Sequence, residues 1–501
     1  MPSPAAIDPA FLALPFDRLS DAALSRARER GATYADFRFE RLRGHMIVAR
    51  DRELETSVQN ESIGFSVRVI YKGAWGFAAG IDLSTDAASA VATRAIEVAE
   101  ALARLNTEPV VLADEPAYTD TYVSSYEIDP FTVPDAEKTN FLLGLNERAL
   151  ASSVIDRVTS YLLLVCEQKF FASLSGSRIT QQRVRVKGDL TAVRIDKATG
   201  GFETMGCAVP PAGRGWEFFT RGHDFTKDAD EIPGLLEQKM ASPSIEPGRY
   251  DLVIDPTNLW LTIHESIGHS TELDRVLGYE ANYAGTSFAT LDKLNTLQFG
   301  SPIMHVTGDR EVKWGLSTVG YDDEGVAAQT WDIVRDGVLV GYQLDRQMAH
   351  KQRFGRSNGC AFADAADHVP IQRMPNVSLS ASPKPITLDD LIGAVDDGIY
   401  IVGDKSWSID MQRYNFQFTG QKFFRIRGGK IVGQVKDIAY QARTTDFWNA
   451  MEAVGGPSTY VLGGAFNCGK GQPSQIAPVS HGCPAALFRQ INILNTAQEG
   501  H

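Results

Sequence analysis

The chain has 501 residues, 43% hydrophobic and 22% charged, so it can bury more than one core and at least two domains are expected. A formal net charge of −13 argues against nucleic acid or an anionic membrane as the main partner. No apolar run reaches the length of a membrane helix, and Met1-Pro2-Ser3-Pro4 lacks the basic region of a secretory signal; the five scattered cysteines include no C-x-x-C pair, which fits reduced thiols in a cytoplasmic protein.

In chain order, residues 19–31 place Leu19, Ala22, Ala23 and Ala27 at helical spacing with arginines opposite, which predicts a helix. Residues 36–48 and 62–78 alternate with period two, as strands do, and Lys72-Gly73 reads as a turn. The alanine-rich stretch 86–105 predicts a helix. Residues 108–134 carry prolines and read as irregular. A helix is expected over 135–153, strands over 158–167, 177–187 and 190–196, and a helix over 228–241.

Ala241-Ser242-Pro243-Ser244-Ile245-Glu246-Pro247-Gly248 breaks this pattern and marks a domain boundary. It separates an N-terminal α+β domain (1–241, with a further division near 108–134 left open) from a C-terminal domain (242–501). Residues 250–255 predict a strand that leads through Pro256-Thr257 into a buried helix capped by Thr257 or Asn258. Beyond Ala289, β-rich runs fall at 338–343, 398–403 and 416–432. The expected fold class is α+β, the C-terminal domain being dominated by antiparallel β-sheet and carrying the metal-binding helix.

That helix carries the most informative motif, His264-Glu265-Ser266-Ile267-Gly268-His269, inside the apolar run Leu259, Trp260, Leu261, Ile263. Two imidazoles offer neutral nitrogen ligands, and a neighbouring carboxylate offers a proton acceptor for metal-activated water. The zinc-peptidase pattern H-E-x-x-H puts both histidines on one helix face. Here the spacing is one residue longer, and on a regular helix positions five apart point roughly 140° away from each other. A π-bulge absorbs the extra residue, and Gly268 sits where the turn loosens most easily. His264 and His269 are therefore the candidate metal ligands, and Glu265 the candidate general base.

Near the C-terminus stand Phe466-Asn467-Cys468-Gly469-Lys470-Gly471-Gln472-Pro473 and Pro478-Val479-Ser480-His481-Gly482. With the His-Glu helix, these segments resemble the TldD/PmbA metallopeptidases, also called the modulator-of-gyrase family, of the active TldD-like type. Tyr321-Asp322-Asp323-Glu324-Gly325-Val326 and Arg373-Met374-Pro375-Asn376-Val377 are similar to further family segments. So are, at the N-terminal end, Ala32 to Arg38, Val67-Arg68-Val69 and Gly73-Ala74-Trp75-Gly76-Phe77. The resemblance spans nearly the whole chain, in order. It departs at Ile491-Asn492-Ile493-Leu494 and at Ser406 to Tyr414, both less glycine-rich than the family, which bears on substrate and partner choice more than on the metal site.

The resemblance implies Cys468 as the third ligand of one Zn²⁺ per chain, and a thiolate suits that ion. Glu272, three residues after His269, is a rival ligand or a hydrogen-bond partner of one imidazole. His481 reads as a surface residue or as a second such partner, with binding of the developing oxyanion as an alternative. Asp322, Asp323 and Glu324 read as a solvated turn. Arg373 and Asn376 open a strand whose edge could pair with an extended peptide, although a structural strand is the default. Cys360 and Cys483 read as structural. The resemblance further implies a zinc-dependent peptidase of unfolded or extended peptides, including precursor peptides. It implies a dimer that encloses the site, formed with a second copy or a related subunit. Two alternatives are a non-catalytic peptide-binding partner subunit, which in the family lacks the His-Glu motif, and a thiol hydrolase using Cys468 with His481.

Overall fold

Long antiparallel strands organise the first half of the chain in the computed structural model, which describes residues 6–197 and 200–497. Strands β1 (Tyr34–Arg50) and β2 (Glu53–Tyr71) pair along their whole lengths, and β3 (Ala74–Gly80) follows the expected Lys72-Gly73 turn. β2 begins nine residues earlier than the alternation of side chains suggests. Its first ten residues are almost all exposed, so no buried face imposes a period of two there. β4 (Thr119–Val123) lies inside the stretch read as irregular and runs parallel to β6. β5 (Arg157–Ser173) and β6 (Arg178–Ile195) complete the centre, and β7 (Phe202–Gly206) joins the far end of β6.

β6 corrects the sequence reading of two strands broken near Gly188. It runs straight through, and a Cβ at Gly188 would lie 2.8 Å and 2.9 Å from the rings of Phe219 and Phe225. The glycine marks a close approach of aromatic side chains and not a strand end. Helices Phe16–Glu29 and Thr85–Ala103 pack alanines and phenylalanines against the first strands, with Leu19, Ala23 and Ala27 fully buried. Helices Asp135–Leu150 and Phe225–Ala241 close a second cluster around Leu142, Leu145, Ile232 and Leu236.

The second half is β-rich. β8 (Gly248–Ile254) lies parallel to Asp397–Ile409 and antiparallel to Ala486–Asn495; the other named pairs of this half are antiparallel. The order continues through Ile438–Arg443 and Asn415–Arg427, which pairs back on Asp397–Ile409 and closes the strands into a barrel. The chain is α+β, as expected. Among the described residues no helix is long and apolar enough to cross a membrane.

Helix Pro256–Ile263 leaves β8 directly. Its cap is Asp255, not Thr257 or Asn258: Asp255 Oδ1 accepts from the Thr257 backbone N–H (3.0 Å), and Pro256 fills the first turn, where no donor is needed. Asn258 is committed elsewhere. Its amide donates to the carbonyls of Gly403 and Thr419, and its Oδ1 accepts from the Tyr440 hydroxyl (2.8 Å). These bonds lock the helix to the barrel wall.

Asp322, Asp323 and Glu324 overturn the expectation of a solvated turn, being 2%, 6% and 4% exposed. The cations that pair with Asp323 and Glu324 lie far away in sequence, on the first sheet. Lys169 Nζ meets Asp323 Oδ2 at 2.8 Å, and Arg68 spans Glu324 (3.0 Å) and Asp36 (2.7 Å) while stacking over Trp75. Asp322 accepts the backbone N–H groups of Glu324, Val326 and Ala361; burial, reinforced by Glu324, still pushes its carboxyl up to about 7. Asp323 and Glu324 join the two halves of the molecule. Arg68→Met strands two buried carboxylates and is expected to cost about 3–5 kcal/mol. Denaturant titration would show this as a lowered midpoint; a wild-type midpoint would contradict the role given to Arg68.

Candidate metal centre

The helix that begins at Pro256 widens into a π-turn over His264–Gly268, where the His269 N–H bonds to the His264 carbonyl. The extra residue is absorbed there, as the spacing of the histidines requires. Gly268 has another reason to be glycine. Its φ of −52° is ordinary, but a Cβ would lie 2.6 Å from Met374 Sδ. Side chains hold the widened turn: Gln343 donates to the Gly268 carbonyl (2.6 Å), and Trp448 donates to Ser266 Oγ (3.0 Å).

The turn brings the two imidazoles to a ring separation of 4.6 Å, and Cys468 on strand Val461–Lys470 completes the group. One donor atom from each of His264, His269 and Cys468 lies within 4.8 Å of the others. Cys468 Sγ is 3.5 Å from His269 Nε2. Donors around a tetrahedral zinc-type ion sit about 3.4–3.6 Å apart, which is the separation of this pair.

The hydrogen bonds fix which ring nitrogens point inward. His481 Nδ1 is 2.8 Å from the Val377 carbonyl, which can only accept, so Nδ1 carries the proton. The Nε2 of neutral His481 must then accept, and it does so from His264 Nδ1 at 2.7 Å. His264 Nε2 is left with a lone pair toward the cluster. His269 Nδ1 donates to Glu272 Oε2 (2.8 Å), which likewise frees its Nε2. Burial keeps all three imidazoles neutral: it lowers the pKa of His264, and lowers those of His269 and His481 well below the usual range. His481, fully buried, is not a surface residue. Both its nitrogens are occupied by Val377 and His264, so no Cys468–His481 thiol pair forms. Trp260 stacks on its ring at 6.2 Å.

Glu272 belongs to a buried charge cluster that sequence reading did not find. Lys470 Nζ, wholly buried, meets Asp274 Oδ1 at 2.8 Å, Glu272 Oε1 at 3.0 Å and Glu280 Oε1 at 3.3 Å; Arg275 bridges Glu272 and Glu280. Burial works against the Glu272 carboxylate, but Lys470 and His269 hold it well below the usual range. The signal was present as charges crowded into 272–280 directly after an apolar helix, and as the lysine of Cys-Gly-Lys.

Arg373 and Asn376 are 1% and 0% exposed, which removes them from any accessible strand edge. Arg373 donates to the Cys468 carbonyl (2.5 Å). Asn376 accepts from the Ser317 N–H and donates to the Asp309 carbonyl, a structural role. Burial pushes the Cys468 thiol up to about 11, against the pull of Arg373. Such a sulfur becomes a thiolate near neutrality only beside a cation, which suits a metal ligand. Cys360 and Cys483 are buried and lie outside the cluster.

Glu265 opens onto a cleft of about 540 Å³ that is walled by both halves of the chain, with Lys187 and Asp189 on one side and Trp407 and Phe466 on the other. Its Oε2 is 2.5 Å from Arg413 Nη1. No local pattern in the sequence pointed to Arg413.

Two family models match this chain: the PmbA/TldA metallopeptidase C-terminal domain over residues 247–495, and domain 1 of the same metallopeptidases over residues 35–99. The chain belongs to the PmbA/TldD family. It is a metallopeptidase, a hydrolase. A metalloprotease of Methanothermobacter thermautotrophicus is 29% identical over 468 residues, covering 92% of this chain and 96% of its own. A zinc metalloprotease TldD homolog of Saccharolobus solfataricus is 22% identical over 476 residues, covering 94% and 98%. Among solved structures, a Thermotoga maritima protein named as a modulator of DNA gyrase shares the fold, with a TM-score of 0.75, 16% identity and coverage of 96% of this chain and 100% of its own. TldE from Thermococcus kodakarensis does so with a TM-score of 0.70, 14% identity and coverage of 95% and 99%.

In this PmbA/TldD chain, His481→Gln and Glu272→Gln remove partners that orient the imidazoles and leave the imidazoles themselves. Each should retain metal but weaken it about 10–100-fold. Chelator competition measures this, and wild-type affinity in both variants would refute the orienting role.

Proposed function

We propose that this chain is a zinc-dependent peptidase of unfolded or extended peptides, with His264, His269 and Cys468 as metal ligands and Glu265 as general base. The observation that carries the reading is the convergence of His264 Nε2, His269 Nε2 and Cys468 Sγ beside a carboxylate that opens onto the cleft. Bound there, a zinc ion supplies Lewis-acid polarisation of the scissile carbonyl and of the attacking water. Glu265 takes the proton from that water and returns it to the departing amine. The outward hydrogen bonds of His264 and His269 keep both rings in one tautomer and one orientation throughout.

A cleft of this size accepts a short run of extended chain and not a folded domain. Extended peptide is therefore the proposed substrate class, and the family resemblance adds precursor peptides of ribosomal origin to it. The zinc named for the Saccharolobus relative supports the choice of ion. Assembly with a second copy or a related subunit is part of the same proposal and rests on the family resemblance. The proposed domain division places an N-terminal α+β domain in residues 1–241 and the β-rich metallopeptidase domain in 242–501. A non-catalytic partner role fits less well, because the His-Glu motif is intact.

Glu265→Gln tests the reading. It should keep the metal and the fold and lose about 10²–10⁴-fold in turnover of an unstructured peptide. Wild type should cut the unfolded form of a protein and spare its native form. A Glu265→Gln variant with near wild-type turnover would refute the base assignment.

A further inference from the structure

The segment Ser406 to Tyr414 ends in a turn that fixes one guanidinium inside the cleft. Asp410 builds the turn. Its Oδ1 accepts the N–H groups of Gln412 (3.1 Å) and Tyr414 (2.8 Å), and its Oδ2 accepts from the backbone and side chain of Asn415. Arg413 occupies the left-handed region at φ +62°, its N–H bonded to the Asp410 carbonyl (3.0 Å) and its own carbonyl to Thr444 Oγ1 (2.7 Å). A non-glycine residue stays there only where its surroundings over-determine it, and such positions cluster at functional sites.

The side chain lines the same cleft as His264, Glu265, His269 and Cys468. Among the described residues Glu265 is the partner of its guanidinium, through Nη1, and the buried Nε has none. Arginine carries five N–H donors in a rigid fork. Most of this fork is uncommitted at the place where a peptide carbonyl must enter.

We propose that Arg413 is the oxyanion-stabilising residue of this site, resting on Glu265 before reaction and donating to the scissile carbonyl oxygen as charge moves there. The proposal rests on the peptidase reading above. In the first step the water oxygen bonds to the carbonyl carbon, the water proton passes to the Glu265 carboxylate, and the carbonyl π pair moves onto oxygen. Negative charge thus leaves the partner of Arg413 and appears on the substrate, and the guanidinium follows it. In the second step the oxyanion collapses, the C–N bond breaks, and the proton on Glu265 goes to the leaving nitrogen. One water is consumed and no other reactant is needed. Donors aimed at the site of developing charge are usually the largest electrostatic contribution to such reactions.

The test compares wild type with Arg413→Gln and Arg413→Lys, with metal content and thermal midpoint read on each. Steady-state kinetics on an unstructured peptide are set beside calorimetric binding of a phosphonate peptide, whose tetrahedral anion mimics the transition state. Arg413→Gln should lower kcat about 10²–10³-fold and weaken phosphonate binding by a comparable factor. KM should stay within about threefold, because the lost contact exists only in the transition state. Arg413→Lys, which keeps the charge without the fork, should fall between the two, and added guanidinium should restore part of the rate to Arg413→Ala. A large loss of kcat with unchanged phosphonate affinity would make Arg413 a mere holder of Glu265 and overturn the proposal. So would wild-type kcat in Arg413→Gln. A wild-type protein that neither cleaves the peptide nor binds the phosphonate would overturn the peptidase reading itself.

Discussion

The π-turn over His264–Gly268 is the constraint from which the arrangement of the site follows. A regular α-helix would turn His269 away from His264, and one more residue in the turn brings the two rings to 4.6 Å. The widened turn gives up regular helical hydrogen bonds, and tertiary contacts replace them. Gln343 satisfies the Gly268 carbonyl, Trp448 reaches Ser266, and Met374 packs where a side chain at 268 would be. The barrel then holds the helix by Asn258 and its first turn by Asp255.

The buried imidazoles and the Glu272 carboxylate are tolerated because they are matched. The imidazoles are neutral, and each is oriented by an acceptor: Val377 through His481 on one side, Glu272 on the other. Glu272 in turn is compensated by Lys470, whose charge is shared with Asp274 and Glu280. Lys470 stands two residues after Cys468, so the same short strand delivers both the sulfur and the counter-charge that keeps Glu272 ionised. The Cys-Gly-Lys segment thereby supports the cluster from two directions.

Part of this was legible from the residues in order. His264, Glu265 and His269 announced themselves by type and spacing, and the longer spacing alone called for the π-turn. The α+β class followed from periodicity. What stayed hidden depends on distance in the chain. Asp323 and Glu324 look solvated until Lys169 and Arg68, more than 150 residues earlier, are placed beside them. His481 looks like a loop residue until the fold sets it against His264, 217 positions away. Gly188 looks like a break because the rings of Phe219 and Phe225 that press on it cannot be seen in the sequence. Arg413 carried no local signal, since its meaning lies wholly in its contact with Glu265.

The central claim is that the widened turn delivers two imidazoles and the Cys468 sulfur to one metal ion. Cobalt substitution tests it most directly. The cobalt-loaded protein should show a thiolate-to-metal charge-transfer band that disappears in Cys468→Ser, and His264→Ala or His269→Ala should abolish stable loading, because three protein ligands leave no redundancy. A Cys468→Ser protein that loads cobalt fully and keeps the same spectrum would contradict the account.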